Sequence, residues 1–391
     1  MGSIYFLKRA LMNRKLVVLI GLAAVSDAAF AQSSVTLYGV ADDSITYTSN
    51  QAGHAAYQTF SGGLGGSKFG FLGNEDLGGG LKAVFRLESG FDMNSGKLGY
   101  NGRLFGRQSY MGLSGDNSGT LTLGRQYDFM VTNLQGLSSA QLFGGSLTTH
   151  AGDVDGIWGS YPVSNAIKYV SPVYRGLSAG ALYSFGGVPG AVGTSQQYGF
   201  GASYANGPLK VAAAFLQVNN PAVARFDGGA AATPGGPFTN PVTNPIYSGY
   251  ATAHSMRTLG AAANYTLGAT TLGATYTNTA FNDAVATAST TFSGSATLAS
   301  YEAFVAHYFT PAVMAGLTYD YTSAPHAHYN QLAAGAQYQF SKRTFTYLVV
   351  AWQRASGVDS TGHAAVADLT YLTPSATANQ VAVRIGIRHS F

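Results

Sequence analysis

The sequence predicts an all-β protein, a transmembrane antiparallel β-barrel of about 16 strands with short turns at one end and long loops at the other. Three observations predict it. Apolar and polar residues alternate with period two in one segment after another, as in strands that are apolar toward lipid and polar toward a lumen. The connections alternate short and long, the asymmetry of periplasmic turns and extracellular loops. Only 10% of residues are charged, whereas Gly (51 residues) and aromatics (13%) are abundant and Cys is absent. That composition suits a sheet with one oily face better than a water-surfaced domain.

The first element is an export signal. Lys8, Arg9, Arg14 and Lys15 precede the apolar run Leu16 to Ala24, and Ala29-Phe30-Ala31 has the small-x-small pattern of a cleavage site. Residues 1–31 are therefore expected to be a cleaved signal peptide, with Gln32 opening the mature chain and Met12 an alternative start to Met1. No later run reaches the roughly 18 to 20 apolar residues of a spanning helix. With the leader gone, Lys+Arg falls from 21 to 17 and Asp+Glu from 17 to 16, a net charge of +1. The remaining cations are scattered, which excludes the clustered basic face of a nucleic-acid binder. Residues 32–391 show no linker or composition break and are expected to form one barrel domain.

Strands are expected near 35–48, 67–76, 80–92, 104–115, 119–127, 165–171, 177–185 and 197–206, then near 208–218, 256–267, 269–278, 300–309, 312–322, 328–340, 344–355 and 380–391. Sixteen is an even number, as single-chain bacterial barrels require. Tight turns fall at Leu77-Gly78-Gly79, Asp116-Asn117-Ser118, Pro172 to Gly176, Asn206-Gly207, Leu267-Gly268, Thr310-Pro311 and Ser341-Lys342-Arg343. The closing strand shows the pattern best: Val381, Val383, Ile385, Ile387 and Phe391 share one face, and Ala382, Arg384, Gly386, Arg388 and Ser390 the other. A soluble sandwich could produce one such stripe; its repetition argues for the barrel. Small residues such as Gly316 and Gly335 stand opposite Leu, Val and Tyr and cannot build an interior at native density, so they read as lining water. Aromatics near strand ends (Tyr183 and Phe185, Tyr301 and Phe304, Tyr308 and Phe309, Tyr338 and Phe340) read as interfacial girdles, with ordinary β-propensity the alternative.

Several stretches carry a family resemblance: Ser33 to Val40, Gly73 to Phe85, Leu104 to Ser114, Thr122 to Asp128, Asn165 to Pro172 and the closing Arg388-His389-Ser390-Phe391. Together they resemble the general porins of β-proteobacteria over the whole mature chain. The resemblance implies a homotrimer of sixteen-stranded outer-membrane barrels, each with its own pore narrowed by an inward-folded third extracellular loop. It implies a passive diffusion channel for ions and small hydrophilic solutes, surrounded by outer-membrane lipid and lipopolysaccharide. It also implies that the barrel-assembly machinery reads the terminal Phe391. One departure stands out: where the family often has a basic residue after Gly-Phe in the second strand, this chain has Leu72, which weakens the case for strong anion selectivity.

Selectivity should reside where the pore is narrowest. The longest connection in the first half, about 128–163, carries Asp153 and Asp155 beside Trp158 and Tyr161. Lys68, Lys82 and Arg86 face inward by alternation, with Arg107 and Arg125 added. Carboxylates on the loop opposite cations on the wall would set up a transverse field and a mild anion preference. The alternatives are an Arg86–Glu88 pair and solvated loop-tip charges at Asp153 and Asp155. Arg384 and Arg388 also face inward, at the rim or paired with Asp42.

Other motifs are declined. Gly176-Leu177-Ser178-Ala179-Gly180 matches the nucleophile-elbow pattern but opens a strand instead of a strand-turn-helix. No spacing selects a hydrolase pair, so no catalytic residue, cofactor or metal site is expected. His326 and His328 read as a solvated loop, Gly62 to Gly66 as a flexible loop, and the long links 219–253 and 278–299 as exposed and flexible. A substrate-selective channel of the same fold, and a barrel enzyme or adhesin, are the competing function classes.

Overall fold

A computed structural model describes residues 34–391; the expected leader, its cleavage site and Met12 lie outside the described residues. The chain forms β1 (Ser34–Gln51), β2 (His54–Ser61), β3 (Lys68–Gly78), β4 (Leu81–Gly90), β5 (Gln108–Gly115), β6 (Gly119–Gln126), β7 (Val163–Val170), β8 (Leu177–Ser184) and β9 (Gln197–Asn206). It continues with β10 (Leu209–Asn219), β11 (Ser255–Leu267), β12 (Thr270–Ala284), β13 (Gly294–Thr310), β14 (Val313–Ser323), β15 (Ala327–Gln339), β16 (Thr344–Gly357) and β17 (Asn379–Ser390).

All belong to one antiparallel sheet, and β17 pairs back onto β1 from Val40↔Ser390 to Thr48↔Ala382. Closure removes free edges, without which the backbone polar groups would have no partners in hydrocarbon. Although there are seventeen segments, β2 and β3 pair along the two halves of the same edge of β1. The wall therefore has sixteen positions, the second of them interrupted at residues 62–67.

That interruption corrects two expectations. The first outer link is the Ala52-Gly53 hairpin, not a long loop, and β2 was not foreseen. Gly62 to Gly66 is a packed inward bulge: Leu64 is buried and its amide donates to Asp42 Oδ2 at 2.7 Å. The inner-end turns fall as expected; in Asn206-Gly207, Gly207 takes φ 55°, a conformation that favours glycine over side-chain-bearing residues.

The outer wall is apolar and uncovered. Leu37, Ile45, Leu113, Leu123, Leu317, Leu348 and Ile385 are all exposed, a band that soluble proteins avoid and acyl chains satisfy. The expected girdle residues Phe185, Tyr301, Tyr308, Phe309, Tyr338 and Phe340 are exposed too. Tyr183 is half-buried, and Phe304 points inward and packs edge-on against Phe143, centroids 6.2 Å apart.

The interior is only partly open. Residues 128–161 form short helical turns that lie against the inner wall, and the small wall residues make room for them. A Cβ at Gly316 would run into the Phe143 ring, and one at Gly260 or Gly201 would fall 2.6 Å from Leu134 or Phe129. These glycines thus receive loop side chains instead of lining water, a correction with a steric cause. The links expected to be exposed and flexible are exposed only in part: residues 229–239 are mostly exposed, whereas residues 279–284 and 294–299 extend β12 and β13, and Phe226, Ile246, Tyr247 and Tyr250 are buried in the apolar cluster that includes Phe129 and Met130.

Candidate functional site

Inside the barrel a charged cluster is built from two sides, a wall and a loop. On the wall, strand register aligns the inward residues of β1 to β5: Tyr38↔Gly70, Gly70↔Glu88, Leu72↔Arg86 and Glu88↔Gln108. Glu88 is 1% exposed and gathers the cations. Arg107 Nε lies 2.7 Å from its Oε1, Arg86 Nη2 lies 2.9 Å from its Oε2, and Tyr38 donates its hydroxyl at 2.7 Å. Arg86 also sits over the Tyr38 ring, 5.1 Å from its centroid. Lys68 lies in the same region and makes none of the ion pairs found among the described residues.

Farther round, Arg384 and Arg388 project inward from β17. Arg384 donates to Thr46 Oγ1 (2.9 Å) and Ser146 Oγ (2.7 Å) and lies 3.9 Å over Phe60. Arg388 stands in register with Asp42, but the Asp42 carboxylate is taken by the Tyr347 hydroxyl (2.7 Å) and the Leu64 amide. Arg384 thus ties the wall to the loop, and neither arginine makes an ion pair with Asp42 among the described residues.

The loop is held to the wall by buried polar groups. Ser139 donates its amide and hydroxyl to Glu302 (3.1 and 2.7 Å), Gln331 donates to the carbonyls of Leu147 and Thr149, and Gln337 to that of Leu142. At the centre His150 Nδ1 lies 2.5 Å from Asp155 Oδ2, and His150 Nε2 lies 3.8 Å from Asp320 Oδ2. Thr277 of β12 donates to the same Asp155 oxygen at 2.7 Å. Burial alone would strip the proton from His150, but the charges of Asp155 and Asp320 prevail and raise its pKa to about 10. For Asp153, burial and the neighbouring Asp155 charge both disfavour ionisation and push its pKa up. Its carboxylate accepts from the Trp158 amide at 3.0 Å and from the Ser160 hydroxyl.

The expected site residues therefore separate. Lys68, Arg86 and Arg107 come together, and Lys68 and Arg107 line a cleft of about 700 Å³ between wall and loop. Lys82 lies apart at the inner-end turn, 4.0 Å from Asp116. Arg125 follows the bulge at Gly124 and donates to the Gly106 carbonyl and Ser164 Oγ, outside the cleft lining. Asp153 and Asp155 are 2% and 1% exposed; they are neither solvated tips nor members of that lining. Missed by the sequence reading were Glu88 as organiser, the His150 network and the buried Arg225–Asp128 pair at 3.2 Å. Period-two alternation does point Glu88 inward with Arg86; nothing local marks the other two. Ser178, in the declined elbow motif, sits on β8 and donates to the Ser171 carbonyl, and His328 stacks on Tyr321 with centroids 5.9 Å apart.

A closed sixteen-position barrel with an apolar outer band and a loop packed into its lumen defines a multi-pass outer-membrane β-barrel of the porin class. Residues 18–358 match the Gram-negative porin family model, and the chain belongs to that family. It is 33% identical over 236 residues to an outer membrane porin protein of Bordetella pertussis and 36% identical over 224 residues to outer membrane porin protein 32 of Delftia acidovorans. In each case 53% of this chain aligns with 60% of the relative, so the chain spans under two thirds of these curated relatives' length. A solved anion-selective porin from Comamonas acidovorans superimposes with a TM-score of 0.69 at 25% identity, over 92% of this chain and all of that one. Family and fold point to a channel rather than an enzyme.

Proposed function

We propose that the protein is a passive diffusion channel for ions and small hydrophilic solutes across the outer membrane, with a mild preference for anions. The observation that carries this reading is the uneven charge of the cleft between wall and loop. Lys68 and Arg107 line the cleft, whereas the loop carboxylates Asp153 and Asp155 are buried beside it. A positive lining between low-dielectric walls enriches anions locally. Glu88 offsets part of that charge, and Leu72 adds none, which favours a mild preference over a strong one. The description of the Comamonas acidovorans structure as anion-selective agrees with this sign.

Three further elements belong to the proposal. Residues 1–31 are a removed leader. The barrels assemble as homotrimers among outer-membrane lipid and lipopolysaccharide, a reading supported by the family resemblance and the bare apolar outer wall. Phe391 acts as the signal to the assembly machinery, a reading supported by the family resemblance of Arg388-His389-Ser390-Phe391; its amide and carbonyl pair with Gly39 at 3.0 Å each, and its ring stays half exposed.

Swelling of vesicles carrying the purified barrel tests the channel reading. Rates should fall smoothly with the size of neutral sugars and show no saturation. Saturable uptake of one sugar class would replace it with a substrate-selective channel, and a folded barrel that supports no swelling would overturn it.

A further inference from the structure

The cleft beside Lys68 presents aromatic rings as well as cations. Lys68, Lys97 and Arg107 share its lining with Tyr100, Trp158 and Tyr371. The polar ends of these rings are engaged: the Tyr100 hydroxyl donates to the Gly159 carbonyl at 3.2 Å, and the Tyr371 hydroxyl meets Ser160 Oγ. Trp158 is fixed through its backbone, its amide donating to Asp153 at 3.0 Å and its carbonyl accepting from Gln135 at 2.7 Å. The carboxylate in the lining, Asp92, is folded onto its own turn, where it accepts from the amides of Asn94 and Ser95. The cleft thus presents ring surfaces and net positive charge among uncharged polar groups such as Ser61, Asn101, Gln141 and Ser160, with Arg107 also bonded to Glu88 and the Tyr100 hydroxyl.

Hydrated inorganic ions make no use of ring faces. A solute with a flat π-system and one carboxylate uses both features: the carboxylate meets Lys68 and Arg107, and the ring meets Trp158 and the tyrosines in offset or edge contacts. A volume of about 700 Å³ lies within the usual range for small-molecule sites. We propose that this cleft is a binding site for small aromatic monocarboxylates on their way through the lumen. The inference rests on the diffusion-channel reading and adds a solute class to it.

The test is block of chloride current through the full-length mature barrel in a planar bilayer. Two probes of equal charge are compared, 4-hydroxybenzoate and cyclohexanecarboxylate. The expected result is half-block by the aromatic acid at roughly fivefold lower concentration, equivalent to about 1 kcal/mol. Trp158→Leu and Tyr371→Leu should each shrink that ratio, and Lys68→Met should weaken block by both probes. Equal block by the two probes in the unmodified protein would overturn the proposal, as would an unchanged ratio in both ring variants. Failure of the underlying channel reading looks different, because no chloride current would flow before either probe is added.

Discussion

Replacing Lys68 by Met removes one positive charge from the cleft while keeping most of the length of the side chain. Lys68 lines the cleft without an ion-pair partner among the described residues, whereas Arg86 and Arg107 share Glu88. An ion passing roughly 7 Å from the ammonium feels about 0.6 kcal/mol in water. A Debye length near 10 Å at 0.1 M salt cuts this to about 0.3 kcal/mol. Anions lose that stabilisation and cations are relieved of the same repulsion, so the anion-to-cation permeability ratio should fall about threefold. At 1 M salt, with a Debye length of about 3 Å, the change should shrink to roughly 1.2-fold. Reversal potentials under a KCl gradient measure the ratio at both salt levels. Lys82→Met is the control, since Lys82 is half exposed beside Asp116 at the inner-end turn and should shift the ratio little. A change below about 1.3-fold for Lys68→Met at 0.1 M, or an equal change for Lys82→Met, would refute the charge assignment.

Other perturbations address the loop. His150 is held protonated by Asp155 and Asp320 against its burial, so its pKa lies above the unfolded value. Its contribution to loop anchoring is therefore complete below about pH 6.5, declines above that and is lost as pH rises through about 10; open-channel noise should grow progressively across that range, while His150→Gln should be noisy already at neutral pH. Gly316→Val would place atoms where Phe143 lies, a clash costing about 1–3 kcal/mol that should appear as a lower melting temperature and a noisier channel. Arg225→Ala strands the buried Asp128 carboxylate; a loss of about 3–5 kcal/mol in local anchoring should appear as faster proteolysis within residues 220–254.

Much of the fold was legible because lipid imposes a simple rule on strands: one face apolar, the other free to vary. The stripe in Gln380 to Phe391 predicted the faces of β17 correctly, and Asn206-Gly207 and Leu267-Gly268 marked real turns. The count of sixteen survived the unforeseen β2 because β2 and β3 occupy one position on β1. The packing inside the barrel was less legible. A Gly opposite Leu looks the same in sequence whether water or Phe143 fills the space above it, and only three-dimensional proximity distinguishes the two. The charges behaved likewise. Arg86 and Glu88 lie two residues apart, so their pairing could be foreseen, whereas Asp155 is neutralised by His150 and accepts from Thr277, and the same His150 faces Asp320; both strand residues are more than a hundred positions away in the chain. Long-range desolvation of that kind leaves no local pattern, and for this reason the expected loop-to-wall field resolved into a positive cleft with buried carboxylates beside it.

Single-channel recording of the refolded mature chain in a planar bilayer under a tenfold KCl gradient shows directly whether the barrel conducts and which ion it favours. Stepwise openings, grouped in threes and with a reversal potential displaced modestly toward that of chloride, are the predicted result. A verified folded barrel that passes no current would rule out a diffusion channel, and a reversal potential lying toward that of potassium would rule out the preference for anions.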